Sequence, residues 1–525
     1  MQSNKLSLQQ LPVTGNRVLL TFRTLIANPL VQVGFTLVYQ LYLLYCLALR
    51  FNIRADIASI ALLFGVTDIL FLGVSRLIKL NAPLLFAADL LLTTGFSAQC
   101  VFVDTFPETT GTDVREIVTD SLLFIGVGIV AGAVCMAVCY WVMHAGRQQL
   151  QAKAVPFFCI LLCLAAIATA GYSLATGSQW LFNGRLQPGE FIKFGFLFFT
   201  ALVAGVAEEY MSYRKKLFYL VSVYLLLALT YVAQSELGSL LVVTAVFALF
   251  LIIYSKSWLL TGGLLGFIAV FVCVVMAVVI SFGNSYIEEV YADPPAEGEE
   301  ITQEEPSFFE QDHGKLINTV LDKFTSNYEK VYMRFMVCVD IDGTDPNLSQ
   351  TLRDVIQEYY VYQARCALNA IGISGLFSTG PVFTYVPVGE SDYIYTSILQ
   401  TGGYLSILVM LAAFLILADT TLDIVCRNCP LFGRYGAFLM AATLVVQMCI
   451  NVLGVNNLLP LTGITIPLVS KGGSSLAVSF MMLAVILVTD LHYHRTNKKY
   501  TDNFAEAAET KGGCFLVNDE PFAKG

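Results

Sequence analysis

The chain has 525 residues, 56% of them hydrophobic and 13% charged, with a mean hydropathy of +0.69 and a net charge of −9. A soluble domain carries roughly 25% charged residues, so this composition excludes a water-facing surface over most of the chain. It places the bulk in lipid, where α-helices are the default because they pair their own backbone groups. No nucleic-acid partner is expected.

Residues 1–30 form a polar N-terminal segment with Lys5, Arg17 and Arg23. They lack a short apolar core followed by a small-residue cleavage site, so the first apolar helix is expected to stay as a span. A span needs about 20 largely apolar residues. Twelve stretches qualify, at 31–50, 57–77, 82–103, 120–144, 155–175, 189–207, 216–234, 237–255, 258–282, 396–418, 435–453 and 468–492. The expected fold is an all-α polytopic membrane protein with nine helices over 31–282, a large loop over 283–395, three helices over 396–492 and a polar tail over 493–525.

Alternate connections carry the basic residues: Arg76 and Lys79, Arg147 and Lys153, Arg214 to Lys216, Arg427 and Arg434, then Arg495, Lys498 and Lys499. The positive-inside bias therefore puts both termini in the cytoplasm and the 283–395 loop outside. Residues 286–312 of that loop contain ten Asp/Glu and no Lys/Arg, a composition that favours a peripheral segment. From Lys315 to Ala370 the spacing turns helical, with Phe324, Tyr328, Tyr332 and Phe335.

Ionisable groups inside spans are costly and mark function or pairing. Asp68 and Asp89 read as helix-packing groups. Glu190 and Lys193, three residues apart, share a helix face and are either an ion pair or the lining of a polar cavity. Glu236 opens the eighth stretch and Lys471 sits in the twelfth, inside PLVSKGGSS. Pro and Gly at membrane depth in LLPLTGITIPLVSKGGSS imply backbone that is buried or lines a cavity. The amides near Gly472 and Gly473, at a helix start, are suited to an anion such as pyrophosphate.

Most of the thirteen cysteines lie in apolar runs and behave as small hydrophobes. Cys338 and Cys366, both in the outer loop, are the pair a disulfide would join. Cys426 and Cys429 lack further ligands for zinc. The acidic loop leaves a divalent cation open, with no ligand motif for it, so the cofactor is undetermined.

Four segments, in order, resemble the SEDS family, the FtsW, RodA and SpoVE proteins: RLQPGEFIKFG (185–195), QSELGSLLV (234–242), QARCALNAIGISGLFSTG (363–380) with the VPVGESDYIY that follows, and NVLGVNNLLPLTGITIPLVSKGGSSL (451–476). Lys471 stands where the family usually has Tyr, Ser178–Gln179–Trp180 replaces its arginine pair before Trp, and two additional N-terminal spans precede a ten-helix core.

The resemblance implies an inverting glycosyltransferase of the bacterial inner membrane that polymerises lipid II during elongation or division, partnered by a class B penicillin-binding protein and surrounded by membrane lipids. It implies a catalytic Asp in an Asp-Pro dipeptide, which is Asp345 here. Asp354 is the alternative, because its spacing to Gln363 fits better. Glu190, Lys193, Glu236, Gln363, Asp392, Ser470, Lys471, Gly472 and Gly473 are the implied substrate-binding positions. A precursor flippase or transporter, and a non-catalytic scaffold for a cell-wall synthase, are the rival readings.

Overall fold

The computed structural model describes residues 17–511, except 145–147, 177, 179, 182–185, 235, 256–258, 379–382, 428 and most of 272–348. Within 272–348 it describes residues 273, 274, 277, 318, 325, 329, 332–334, 337 and 338. Among the described residues the chain is helical, and eleven helices are long and apolar enough to cross a membrane.

A short helix, α1 (Arg17–Ala27), leads into α2 (Pro29–Arg50), α3 (Ile57–Ile78), α4 (Ala82–Thr105), α5 (Val114–Met143) and α6 (Gln148–Thr176). Next come α7 (Pro188–Gly205), α8 (Tyr213–Gln234), α9 (Leu237–Tyr254) and the shorter α10 (Leu259–Phe271). After the large loop, α11 (Gln350–Val355) runs through a π turn into α12 (Tyr362–Ile373). The last three are α13 (Ile394–Cys426), α14 (Leu431–Val455) and α15 (Gly473–Lys511). The expected ninth span, 258–282, is described chiefly as α10, and the rest of it lies outside the described residues.

Helix starts follow local chemistry. The Asn28 side chain accepts from Leu30 N with Pro29 at the first position, the Asn81 side chain accepts from Leu84 N, and the Asp113 side chain accepts from Glu116 N. Each of these satisfies an amide that the helix cannot. The cap at Asp113 starts α5 six residues before the expected 120.

The packing centre is α4, whose apolar window is wholly buried, and the largest interfaces join α4 to α13 and α5 to α15. At the other extreme, α6 keeps most of its apolar surface outward, toward lipid. The end of the bundle that carries the basic connections is tied by ion pairs. Arg23 binds Asp419 at 2.7 Å and Asp423 at 3.2 Å, and Arg427 binds Asp423 and Asp490. Lys216 donates to the Val206 carbonyl at that same end.

Candidate functional site

Three broken stretches of backbone meet at the opposite end of the bundle. Gln187, just before α7, makes no side-chain capping bond to that helix; instead its N–H donates to Ser474 Oγ at 2.9 Å and its side-chain amide donates to Glu236 Oε1 at 3.0 Å. The Tyr231 hydroxyl donates to Gly189 O at 3.1 Å. Gly189 is needed there, because a Cβ would run into the Glu236 carboxylate. Glu190 and Lys193 form a buried pair at 2.7 Å, with Lys193 only 1% exposed. Lys193 thus faces its partner and not open space.

The second stretch is 456–472. It does not continue α15 downward from 468, as the hydropathy suggests. Leu468 takes φ +64°, and Ser470 Oγ accepts from Ile466 N at 2.9 Å while donating to Ser391 O at 2.8 Å. Lys471 N donates to Glu390 O at 2.9 Å. These bonds hold the turn open, so the helix starts only at Gly473. Gln99 of α4 donates to Val469 O at 2.8 Å from below.

The third stretch, 388–393, carries Val388 at φ +56°. Non-glycine residues held at positive φ cost of order 1–3 kcal/mol each and cluster at functional sites; two bulky ones, Val388 and Leu468, flank in sequence the Glu390–Lys471 backbone bond. Asn451 of α14 bridges it by donating to Asp392 O at 2.8 Å and to Ile464 O at 2.6 Å.

Two depressions, each of about 370 Å³, open at this end. Gln99, Asp120, Ser470, Lys471 and Gly472 line one. Arg334, Gln363, Tyr393 and Asn457 line the other. The Asp392 carboxyl sits beside Gly463 and Arg334. Burial pushes it above the usual carboxylate range, against the pull of the Arg334 guanidinium. Glu236, in the turn between α8 and α9, is likewise pushed up by burial, against the Gln187 hydrogen bond.

The structure therefore gathers the sequence-derived positions into three adjoining groups. Glu190, Lys193 and Glu236 form a sealed polar cluster. Ser470, Lys471 and Gly472 line one depression, and Gly473 begins α15 against the Phe124 ring. Gln363 lines the other, near Asp392. Asp354 is exposed on α11 and accepts from Gln350 at 2.9 Å, apart from these groups. Asp345 lies outside the described residues.

Sequence reasoning missed Gln187, Gln99, Asp120, Arg334 and Asn451. Their one signal is polarity beside or within an apolar run, which says nothing about which partner each will find. Cys338 and Cys366 are free thiols, not a disulfide, and Cys338 donates to Asn457 O. Among the described residues no three His, Cys, Asp or Glu side chains gather as a metal group would require.

The family model for cell cycle proteins of the FtsW, RodA and SpoVE type matches residues 83–303 and 346–497. The peptidoglycan glycosyltransferase MrdB of Escherichia coli K12 is 31% identical over 140 residues, 26% of this chain and 37% of that relative. The chain therefore spans little more than a third of that relative's length. Stage V sporulation protein E of Bacillus subtilis is 24% identical over 384 residues, 70% of this chain and 84% of the relative. Among solved structures, rod shape determining protein RodA of Thermus thermophilus aligns with 79% of this chain and 97% of its own at 17% identity, with a TM-score of 0.41.

Proposed function

The chain belongs to the FtsW, RodA and SpoVE family of cell cycle proteins, and we propose that it is a peptidoglycan glycosyltransferase that polymerises lipid II at the outer face of the bacterial inner membrane. The observation that carries this reading is the convergence of the family's segments on one end of the bundle, beside the depression lined by Lys471 and Gly472.

The reaction joins the acceptor's sugar hydroxyl to C1 of the donor sugar, with inversion. The new C–O bond forms as the bond to the undecaprenyl pyrophosphate breaks, and the hydroxyl proton passes to a carboxylate within hydrogen-bond reach. Charge grows on the departing pyrophosphate, so a cation and oriented amides at that point lower the barrier most. Lys471 and the amides at the start of α15 are the groups at hand. The Glu190–Lys193 pair is sealed from solvent, so its role is to position the start of α7, and through Gln187 the Glu236 and Ser474 contacts, rather than to touch phosphate.

Asp345 is the proposed base and Asp354 the alternative. Gln363, which lines the second depression, and Asp392, beside Arg334, are further proposed substrate-binding positions. The partner is a class B penicillin-binding protein, which supplies crosslinking, and both termini are cytoplasmic.

The test is lipid II polymerisation by the purified protein, alone and with its co-purifying transpeptidase. Removing a general base costs about 100- to 10,000-fold, so Asp345→Ala is expected to abolish visible glycan chains while Asp354→Ala leaves them. Loss with Asp354→Ala alone moves the base. A wild-type protein that makes no polymer with its partner present sinks the proposal and favours a flippase or scaffold.

A further inference from the structure

Away from this site, one buried group lacks the partner its chemistry demands. Asp89 is the eighth residue of α4, roughly 10 Å inside the helix start, and it is 0% exposed. Neither of its carboxyl oxygens receives a hydrogen bond. Its neighbours are Thr67 and Asp68 of α3. The Thr67 hydroxyl is spent, because it donates to Phe64 O at 2.9 Å. That leaves the Asp68 carboxyl, which accepts from the Gln40 side-chain amide of α2 at 2.9 Å. Among the described residues no basic side chain pairs with either acid.

Asp89 is fully buried and Asp68 half-buried; two carboxylates side by side at this depth repel, and the charge on Asp89 costs far more to bury than its neutral acid. A proton between them removes one charge and creates the missing O–H···O bond. A metal ion fits less well. Gln40 turns its amide N–H toward Asp68 and so presents a donor where an ion would need an oxygen, and among the described residues no third acid gathers with the pair.

Position adds a second argument. The family match begins at residue 83, so α2 and α3 precede it while α4 is its first helix. Asp68 and Gln40 therefore belong to the additional hairpin, and Asp89 to the family core.

We propose that Asp68 and Asp89 form an intramembrane proton-binding site, one proton shared between two carboxyls, that fastens the additional N-terminal hairpin to the family core.

The test is infrared spectroscopy of the full-length protein in lipid nanodiscs at neutral pH, with and without sodium. Wild type minus Asp89→Asn is expected to show the C=O stretch of a protonated carboxylic acid, shifted in deuterated water and indifferent to sodium. Asp68→Asn is expected to remove the same band. In either variant the amide supplies the hydrogen that the proton supplied, so both are expected to fold; should one fail, the other carries the test. Other buried acids, such as Asp392, cancel in the difference. The absence of a lost band in the variant that folds overturns the proposal, and so does a band that appears only when sodium is withdrawn, which would make the ligand a cation.

Discussion

Lys193 has no water to turn to if its partner is lost. With 1% exposure and a 2.7 Å contact to Glu190, it falls in the class of buried pairs whose disruption from one side costs about 3–5 kcal/mol, whereas an apolar replacement of both partners is near neutral. Lys193→Ala is thus expected to lower the unfolding midpoint sharply in detergent, and the double change Glu190→Gln with Lys193→Met to recover most of it. Equal losses in both variants would mean that the charges themselves, and not their mutual satisfaction, stabilise α7.

Asp392 makes a prediction of opposite character. Burial raises its carboxyl in the folded chain, while the unfolded value is about 3.9. Between the two values the folded chain holds the proton and the unfolded chain does not. The stabilisation is therefore full below about pH 3.9 and is lost as pH rises through the folded value. Asp392→Asn, neutral at every pH, is expected to erase that part of the pH dependence and to match or exceed wild-type stability at neutral pH, by thermal unfolding across pH. A variant that is weaker at neutral pH would show that the ionised carboxylate beside Arg334 is the form the fold uses.

At the scale of elements, the spans were legible because about 20 apolar residues in a row are a local property, and eleven of the expected twelve are present as crossing-length helices among the described residues. What hydropathy does not contain is long-range contact. The expected straight tenth span is the 33-residue α13, bent at Gly403 with φ +66° and ψ −170°, a conformation essentially restricted to glycine. The bend exists because Gly375 O and Leu376 O accept from Tyr404 N and Leu405 N, and no periodicity in either segment announces that pairing. The same holds for the turn before α15, which depends on Glu390 and Ser391 some eighty positions away.

That turn also packs closely on α4. A Cβ at Gly95 of α4 would overlap the Val469 backbone, whereas a Cβ at Gly65 of α3 meets nothing within 4 Å. Overpacking costs typically about 1–3 kcal/mol, and here the obstructing atoms are backbone, which must move with Ser470 and Lys471 attached. Gly95→Ala is expected to lose both stability and polymer formation. Gly65→Ala is expected to gain about 0.5–1 kcal/mol from helix propensity. Unfolding midpoints and lipid II turnover, measured on both, separate the two outcomes.

The whole molecule imposes a parity on the chain. Glu236 lies at the site end, because Gly238 just after it packs on Thr462 and Ile464. α9 then carries the chain across to Tyr254, whose ring sits 5.7 Å from Tyr213 and 5.6 Å from Tyr435, at the starts of α8 and α14. Yet Val337 and Cys338 are back at the site end, accepting from and donating to Asn457. Tyr254 and Val337 therefore lie at opposite ends of the bundle. The apolar stretch 258–282, which begins with α10, is the segment in that interval composed to cross between them. With that segment proposed as a crossing, the expected twelve would return both termini to one side. The ion-paired end with Arg23, Arg427 and the basic connections is the end that the positive-inside bias would keep in the cytoplasm, which is the orientation proposed above. A cysteine-depleted chain carrying Asn369→Cys, exposed on α12 at the site end, is expected to react with a membrane-impermeant maleimide on intact cells. Glu209→Cys, exposed in the α7–α8 connection, is expected to react only after lysis. Reversed labelling would invert the molecule and place the Lys471 depression on the side away from any extracellular glycan.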